Sequence, residues 1–251
     1  MKNIVDIKVW GDYGCFTCPE FKVERVSYPV ITPSAARGIL EAIYWKPQIR
    51  YRIQRIGILK LGTQWSLLRN EISSRQSING GLVVDDDRQQ RTSLVLQDIA
   101  YRIQAWIELR SGETNIGKHL DCFSRRAERG QYFHKPFLGC REFSADFEWL
   151  GGKSGNNETV EPENSLNLPV GTMLFDTAYI KNLEYFQNHK EDRLEFWQHE
   201  NNHGFQAKGY AKRLFFNAEV KRGWLVEKDR NSLPDSLYCE LTRLEAGNGT
   251  H

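Results

Sequence analysis

Residues 112–143 read GETNIGKHLDCFSRRAERGQYFHKPFLGCREF. On a helical wheel with about 100° per residue, Leu120, Phe123 and Ala127 fall within about 40° of Ile116. These four form a stripe that faces a core. Lys118, Arg125 and Arg129 gather on the opposite side, with His119 and Arg126 on the flank between. Gly130 follows at a C-cap position, and arginines fill the last turn, where the helix dipole favours them. The stretch therefore predicts a helix with one buried and one basic face. Such a face is ordinarily solvated surface, so what surrounds it decides whether it has a use.

Before the helix, residues 92–109 (TSLVLQDIAYRIQAWIEL) read as a long strand; after it, Phe143–Leu150 read as another. Further upstream, Ile4–Trp10 is strand-like and Gly11-Asp12-Tyr13-Gly14 predicts a turn. Thr32-Pro33-Ser34 opens a helix that packs Ala36, Ile39, Leu40 and Ile43 and stops before Pro47, leaving Tyr44, Trp45 and Lys46 at its end. Residues 49–61 begin by alternating, with Ile49, Tyr51 and Ile53 on one face and Arg50, Arg52 and Gln54 on the other. They predict a half-buried strand whose open face is cationic. Residues 70–91 are polar and carry Asn79-Gly80-Gly81, the signature of an exposed, mobile hairpin finger.

The resulting order, strand-helix-strand-strand-helix-strand, is that of a ferredoxin-like (βαββαβ) α+β domain, an antiparallel sheet with two helices on one face. Residues 151–169 read as a linker. Residues 171–180, 211–220 and 223–228 supply three more strand candidates, and 181–203 are polar, acidic and unassigned. The expected division is a domain over 1–150 and a small antiparallel β-sheet extension over 151–251.

The chain has 251 residues, 40% apolar and 26% charged, as in a soluble globular protein. No run approaches the about 20 apolar residues a membrane helix needs. The apolar run in MKNIVDIKVW is interrupted by charge, unlike a signal peptide, and an odd five cysteines suggest free thiols in the cytosol. The net charge of +2 conceals segregation: residues 37–60 hold six Lys/Arg against one acid, 142–203 twelve acids against four Lys/Arg, and 208–230 seven Lys/Arg against three acids. Separated positive segments suit a polyanion.

Walker, dinucleotide, G-x-S-x-G and H-E-x-x-H motifs are absent, which leaves nucleotide hydrolysis, dinucleotide chemistry and the common hydrolase elbows without support. Cys15-x-x-Cys18 and His119-x-x-Cys122 would together supply four zinc-type ligands. They lie about a hundred residues apart, however, so free thiols are the commoner reading. His134 could be a second catalytic histidine, and Tyr44, Trp45, Tyr132 and Phe133 could stack on bases, although polar-loop and core roles are more usual.

What stands out is Lys118-His119 on a basic helix, beside a cationic strand and the aromatic end of the first helix. RNA carries its own nucleophile, the 2′-hydroxyl. Histidine suits proton transfer near neutrality and lysine suits the charge that develops on the phosphorane.

At these residues a resemblance can be stated. TPSAARGILEAIYWKP (32–47), LLRNE (67–71), QRTSLVLQDIAYRIQA (90–105) and the long run 118–150 resemble the type I-C branch of the CRISPR-associated Cas-five family. LPVGTMLFDTAY (168–179) and RLFFNAEVKRGWLV (213–226) resemble its C-terminal sheet. The resemblance implies a metal-independent, cofactor-free endoribonuclease that cuts precursor CRISPR RNA at the base of the repeat hairpin. It implies that the protein then holds the 5′ handle of the product, beside the backbone and large subunits of the interference complex. The family's catalytic tyrosine falls on Tyr44, and its Lys-His pair on Lys118 and His119. Arg37, Lys46, Arg50, Arg52, Arg125, Arg126, Arg129, Lys135 and Arg141 are the cations expected to meet RNA. Double-stranded DNA is a further candidate ligand, and a non-catalytic RNA-binding subunit is the alternative function.

Overall fold

The computed structural model describes residues 4–21, 24–72, 88–110, 112–151, 160–180, 194–200 and 206–246. The central strands are β1 (Ile4–Gly14), β2 (Ile49–Lys60), β4 (Arg88–Leu109) and β5 (Asp146–Trp149), with β3 (Thr63–Ile72) between β2 and β4 in sequence. Helix α1 (Pro33–Ile43) links β1 to β2, and α2 (Ile116–Glu128) links β4 to β5. Then follow β6 (Leu168–Ile180), β7 (Leu194–Glu200), β8 (Gln206–Lys221), β9 (Trp224–Glu227) and a third helix, α3 (Asp235–Ala246). The class is mixed α+β.

Among the described residues all strands belong to one nine-stranded sheet, in the order β5-β1-β4-β2-β9-β8-β6, with β3 on β4 and β7 on β8. Every ladder is antiparallel. The C-terminal strands thus continue the first sheet; they do not form one of their own. The join is short, Ile56 opposite Leu225 and Gly57 opposite Trp224.

The first turn expected in the chain is absent, because β1 runs through Gly11 and stays paired with β4 as far as Gly14 opposite Leu96. These glycines serve close packing: a Cβ at Gly11 would lie 2.7 Å from Leu138 Cδ1 and 2.9 Å from the Ser144 carbonyl. The hairpin finger is entered from β3 and β4, whose pairing extends to Ile72 opposite Arg88. Its tip, 73–87, lies outside the described residues, as does most of 181–203.

The core is built where the sequence patterns put it. Val5, Ile7 and Val9 of β1, Tyr51 and Ile53 of β2, and Tyr101, Ile103 and Ala105 of β4 are buried, as are Ala36, Ile39, Leu40 and Ile43 of α1 and Phe123 and Ala127 of α2. Helix α1 starts on Thr32, whose hydroxyl accepts from the Ala35 N–H at 3.2 Å, with Pro33 in the first turn.

The cationic face of β2 is not open. Helix α3 lies against Arg50–Ile53, the part of β2 that β9 does not pair. Arg50 reaches Glu245 at 3.3 Å and Thr242 at 3.3 Å. Arg52 reaches Asp235 at 2.9 Å, its guanidinium 5.1 Å from the Tyr238 ring centre. The Tyr238 hydroxyl accepts the Ile53 N–H at 2.9 Å in place of a strand partner.

Arg37 is likewise structural. Its guanidinium donates to both Asp176 oxygens at 2.8 Å and to Glu41 at 2.7 Å, tying α1 to β6. Burial opposes its charge, but the carboxylates of Asp176 and Glu41 outweigh burial and raise its pKa. Arg37, Arg50 and Arg52, expected from sequence to meet RNA, thus each pair with a carboxylate of this chain, which supports a bracing role. Breaking a buried pair by removing one partner costs about 3–5 kcal/mol. For a chain of this size each kcal/mol moves Tm by about 2–4 °C, so Arg37→Ala should lower Tm by about 6 °C or more. The salt dependence of RNA binding should stay unchanged. An unshifted melting curve with a flatter salt slope would return Arg37 to the RNA surface.

Candidate active site at the end of α1

The last turn of α1 and the first turn of α2 meet over the sheet. Tyr44 is the C-cap of α1, its N–H donating to the Leu40 carbonyl at 3.0 Å. Pro47 disfavours helical backbone at Lys46 and keeps the chain from continuing. Helix α2 starts on Asn115, whose side chain accepts from the Lys118 N–H at 3.1 Å. It ends before Gly130, whose φ of +62° is the left-handed cap position.

This placement brings Tyr44 and His119 together, with Tyr44 Oη 2.9 Å from His119 Nδ1. His119 is 1% exposed and Tyr44 3%. The helical wheel set His119 on a border; in the structure the buried side of α2 is rotated toward it, because Tyr44 supplies a polar partner. Lys118, next in the chain, stays in solvent.

Sequence reasoning missed Glu113. Its Oε2 lies 3.2 Å from His119 Nε2 and 3.6 Å from Lys118 Nζ, while its Oε1 accepts the Thr114 and Asn115 N–H groups at 2.9 Å each. The Asn115 N–H first, then His119, Thr114 and Lys118, hold the Glu113 carboxyl down to about pH 2. An ionised carboxylate only accepts, so His119 Nε2 donates to Glu113 and leaves Nδ1 facing the Tyr44 hydroxyl. Burial and the adjacent Cys122 thiol push the Tyr44 phenol above its ordinary pKa, so it stays protonated. The spacing of six between Glu113 and His119 matches no helical face, because Glu113 precedes the helix. The visible signal was an acid just ahead of Thr-Asn at a helix start.

Arg126 is a brace as well. Its Nη1 donates to the Ile43 carbonyl at 3.0 Å, and its guanidinium lies 5.3 Å from the Tyr44 ring centre. Lys46, Lys118, Arg125, Arg129 and Lys135 are exposed around this end of the molecule. Arg141 belongs to a separate turn, where Arg25 Nη1 reaches both Cys140 Sγ (3.4 Å) and Glu142 (3.0 Å). That turn also engages Cys15, whose carbonyl is 3.6 Å from Cys140 Sγ. Cys15 and His119 thus sit in different clusters, and the four zinc-type residues do not converge. The second histidine, His134, is exposed in the loop after α2, its ring against Phe133 and Phe137.

Comparison with known proteins places the chain. The model of the family described as CRISPR-associated protein (Cas_Cas5) matches residues 4–207. The chain belongs to the CRISPR-associated Cas5d family. A relative from Thermus thermophilus, named CRISPR pre-crRNA endoribonuclease Cas5d, is 47% identical over 243 residues, 96% of each chain. One of the same name from Mannheimia succiniciproducens is 43% identical over 195 residues, 71% of this chain and 87% of that one. Two solved structures share the fold. A CRISPR-associated protein has a TM-score of 0.58 at 19% identity, covering 92% of this chain and 95% of its own. A functionally uncharacterized Streptococcus mutans protein has 0.60 at 17%, covering 95% and 96%. No described helix is long and apolar enough to cross a membrane.

Proposed function

We propose that this Cas5d-family chain is a metal-independent endoribonuclease. It cuts precursor CRISPR RNA within the repeat, at the base of the hairpin, and keeps the 5′ handle of the product as a subunit of the interference complex. The observation that carries the proton chemistry is the chain Tyr44–His119–Glu113, 2.9 Å and 3.2 Å long. The two relatives named as pre-crRNA endoribonucleases support the substrate. We read β5-β1-β4-β2 with α1 and α2 as a ferredoxin-like core over residues 1–150 that carries the site, and residues 151–251 as its brace.

The chemistry follows the logic of a nucleophile, a base and an orienting carboxylate. Tyr44 Oη accepts the proton of the RNA 2′-hydroxyl as its own proton passes to His119 Nδ1, so no free phenolate is needed. The resulting imidazolium donates from Nε2 to Glu113, whose charge stabilises it. The 2′-oxygen attacks the adjacent phosphorus and the bond to the 5′-oxygen breaks. The Lys118 ammonium offsets charge on the phosphorane and protonates the leaving oxygen. Products are a 2′,3′-cyclic phosphate and a 5′-hydroxyl. Tyr44 and His119 are closed to bulk water, so binding of the RNA has to open a path to the Tyr44 hydroxyl. Arg125, Arg129, Lys46 and Lys135 hold the phosphates, while Arg126 positions Tyr44.

The direct test is to incubate purified protein with its cognate repeat RNA in EDTA and resolve the products on a denaturing gel. The expected result is a single cut at the rate seen with magnesium. Cleavage that disappears in chelator and returns with magnesium would overturn the mechanism.

A further inference from the structure

The loop that leaves α2 is anchored, yet it holds its rings in water. Phe133 and His134 N–H groups donate to the Ala42 carbonyl at 2.8 Å and 3.2 Å, and Gln131 N–H donates to the Arg126 carbonyl at 2.8 Å. With Arg126 on the Ile43 carbonyl, the two bonds to Ala42 satisfy carbonyls that the end of α1 would otherwise leave without partners, and the Gln131 bond caps α2. The backbone at Phe133 and His134 is thus pinned to Ala42 in the last turn of α1, two residues before Tyr44. Despite this, Phe133 is 77% exposed, Trp45 51% and Tyr132 46%. Holding three aromatic rings in solvent beside a reactive pair gains nothing for the fold, so an occupant is implied.

Charge selects the occupant. The segments that carry these rings, 45–48 and 129–135, contain Lys46, Arg129 and Lys135 and no acid. A cationic rim around bare aromatic faces matches single-stranded nucleic acid, whose phosphates meet the cations and whose bases stack on the rings. Paired bases keep their faces inside the helix, so a hairpin stem does not fit. We propose that Trp45, Tyr132 and Phe133 form a stacking platform for the unpaired RNA nucleotides beside the scissile phosphate, with Phe133 the principal ring. This rests on the endoribonuclease reading and adds what lies next to the cut. An unstacked nucleotide held there would keep the 2′-hydroxyl clear of the stem and free to align with the phosphorus.

The experiment uses repeat RNA carrying 2-aminopurine, in turn, at each unpaired position flanking the cut, with wild type, Phe133→Ala, Phe133→Tyr and Tyr132→Ala/Phe133→Ala, each checked for an unchanged melting curve. Binding to wild type should quench at least one position, and Phe133→Ala should restore its fluorescence. Affinity should fall about 5- to 150-fold in Phe133→Ala, as for the loss of one stacked base, and recover in Phe133→Tyr. Replacing the quenched nucleotide by an abasic site should erase the difference between wild type and Phe133→Ala. If wild type binds and cuts the RNA while the double variant keeps its affinity within twofold and its quenching, the platform is refuted. Loss of a protein partner by that variant with RNA binding intact refutes it too, and assigns the rings to protein docking. Wild type that neither binds nor cuts the repeat RNA overturns the endoribonuclease reading and the platform together.

Discussion

His119→Ala cuts the repeat RNA about 10² to 10⁴ times more slowly than wild type, the usual cost of losing a general acid or base, and binds it almost as well. Binding survives because His119 is buried and touches Tyr44 and Glu113, whereas the exposed cations stay in place. Cleavage by His119→Ala at the wild-type rate would remove His119 from the proton chemistry and overturn the relay. Glu113→Gln is the sharper companion. It keeps the shape and an acceptor oxygen but removes the charge that stabilises the imidazolium. Its plateau rate should fall at least about tenfold.

The pH profile separates that role from a structural one. A carboxyl lowered to about 2 keeps its contacts fully above the ordinary carboxylate pKa and loses them only as pH falls through about 2. A decline in cleavage between pH 8 and pH 5 therefore does not come from protonation of Glu113. If Glu113 serves the reaction through its charge, Glu113→Gln should displace the acid limb of the profile as well as lower its plateau. A lower plateau with an unmoved limb would mean that Glu113 serves only the start of α2.

A single 2′-deoxy substitution immediately 5′ of the cut abolishes cleavage and leaves binding intact. Without that hydroxyl there is no nucleophile for Tyr44 to deprotonate, and no other group in the relay can attack phosphorus. End-group analysis of the wild-type reaction should give a cyclic phosphate, or the monoester it hydrolyses to, and a 5′-hydroxyl. A metal-activated water would cut the deoxy substrate as readily as the ribose one. That outcome would overturn the mechanism and leave the family assignment standing.

Local signals made much of this legible from sequence. Thr32-Pro33 fixes where α1 begins, Pro47 fixes where Tyr44 falls, and the apolar stripe places α2, while the family resemblance, not a local signal, singled out Tyr44 to act with His119. What stayed hidden depends on residues far apart in the chain. Arg50 and Arg52 alternate like surface residues, and only Asp235, Tyr238 and Glu245, some 180 residues later, turn that face inward. Asp176 hides Arg37 in the same way across 139 residues. Glu113 escaped because a loop, not a periodic element, aims it. Gly11 and Gly14 read as a turn because a glycine needed for close packing looks like one needed for chain reversal. β3 was missed because Trp65, Leu68 and Ile72 are exposed, so it shows no buried alternation.

The seating of β2 also governs the order in which the molecule can be made. β2 pairs with β4 on one side, but on the other it waits for Leu225 and Trp224 and for the residues of α3. During synthesis, then, the first half of the sheet emerges with an apolar, hydrogen-bonding edge at Ile53–Ile58 and two arginines without counter-ions. At roughly 5–20 residues per second, some ten seconds or more pass before the ribosome supplies their partners. An open edge of that kind invites pairing with another chain. The arginines that later brace α3 are, in that interval, unpaired charges beside the edge, of the kind that disfavours such pairing.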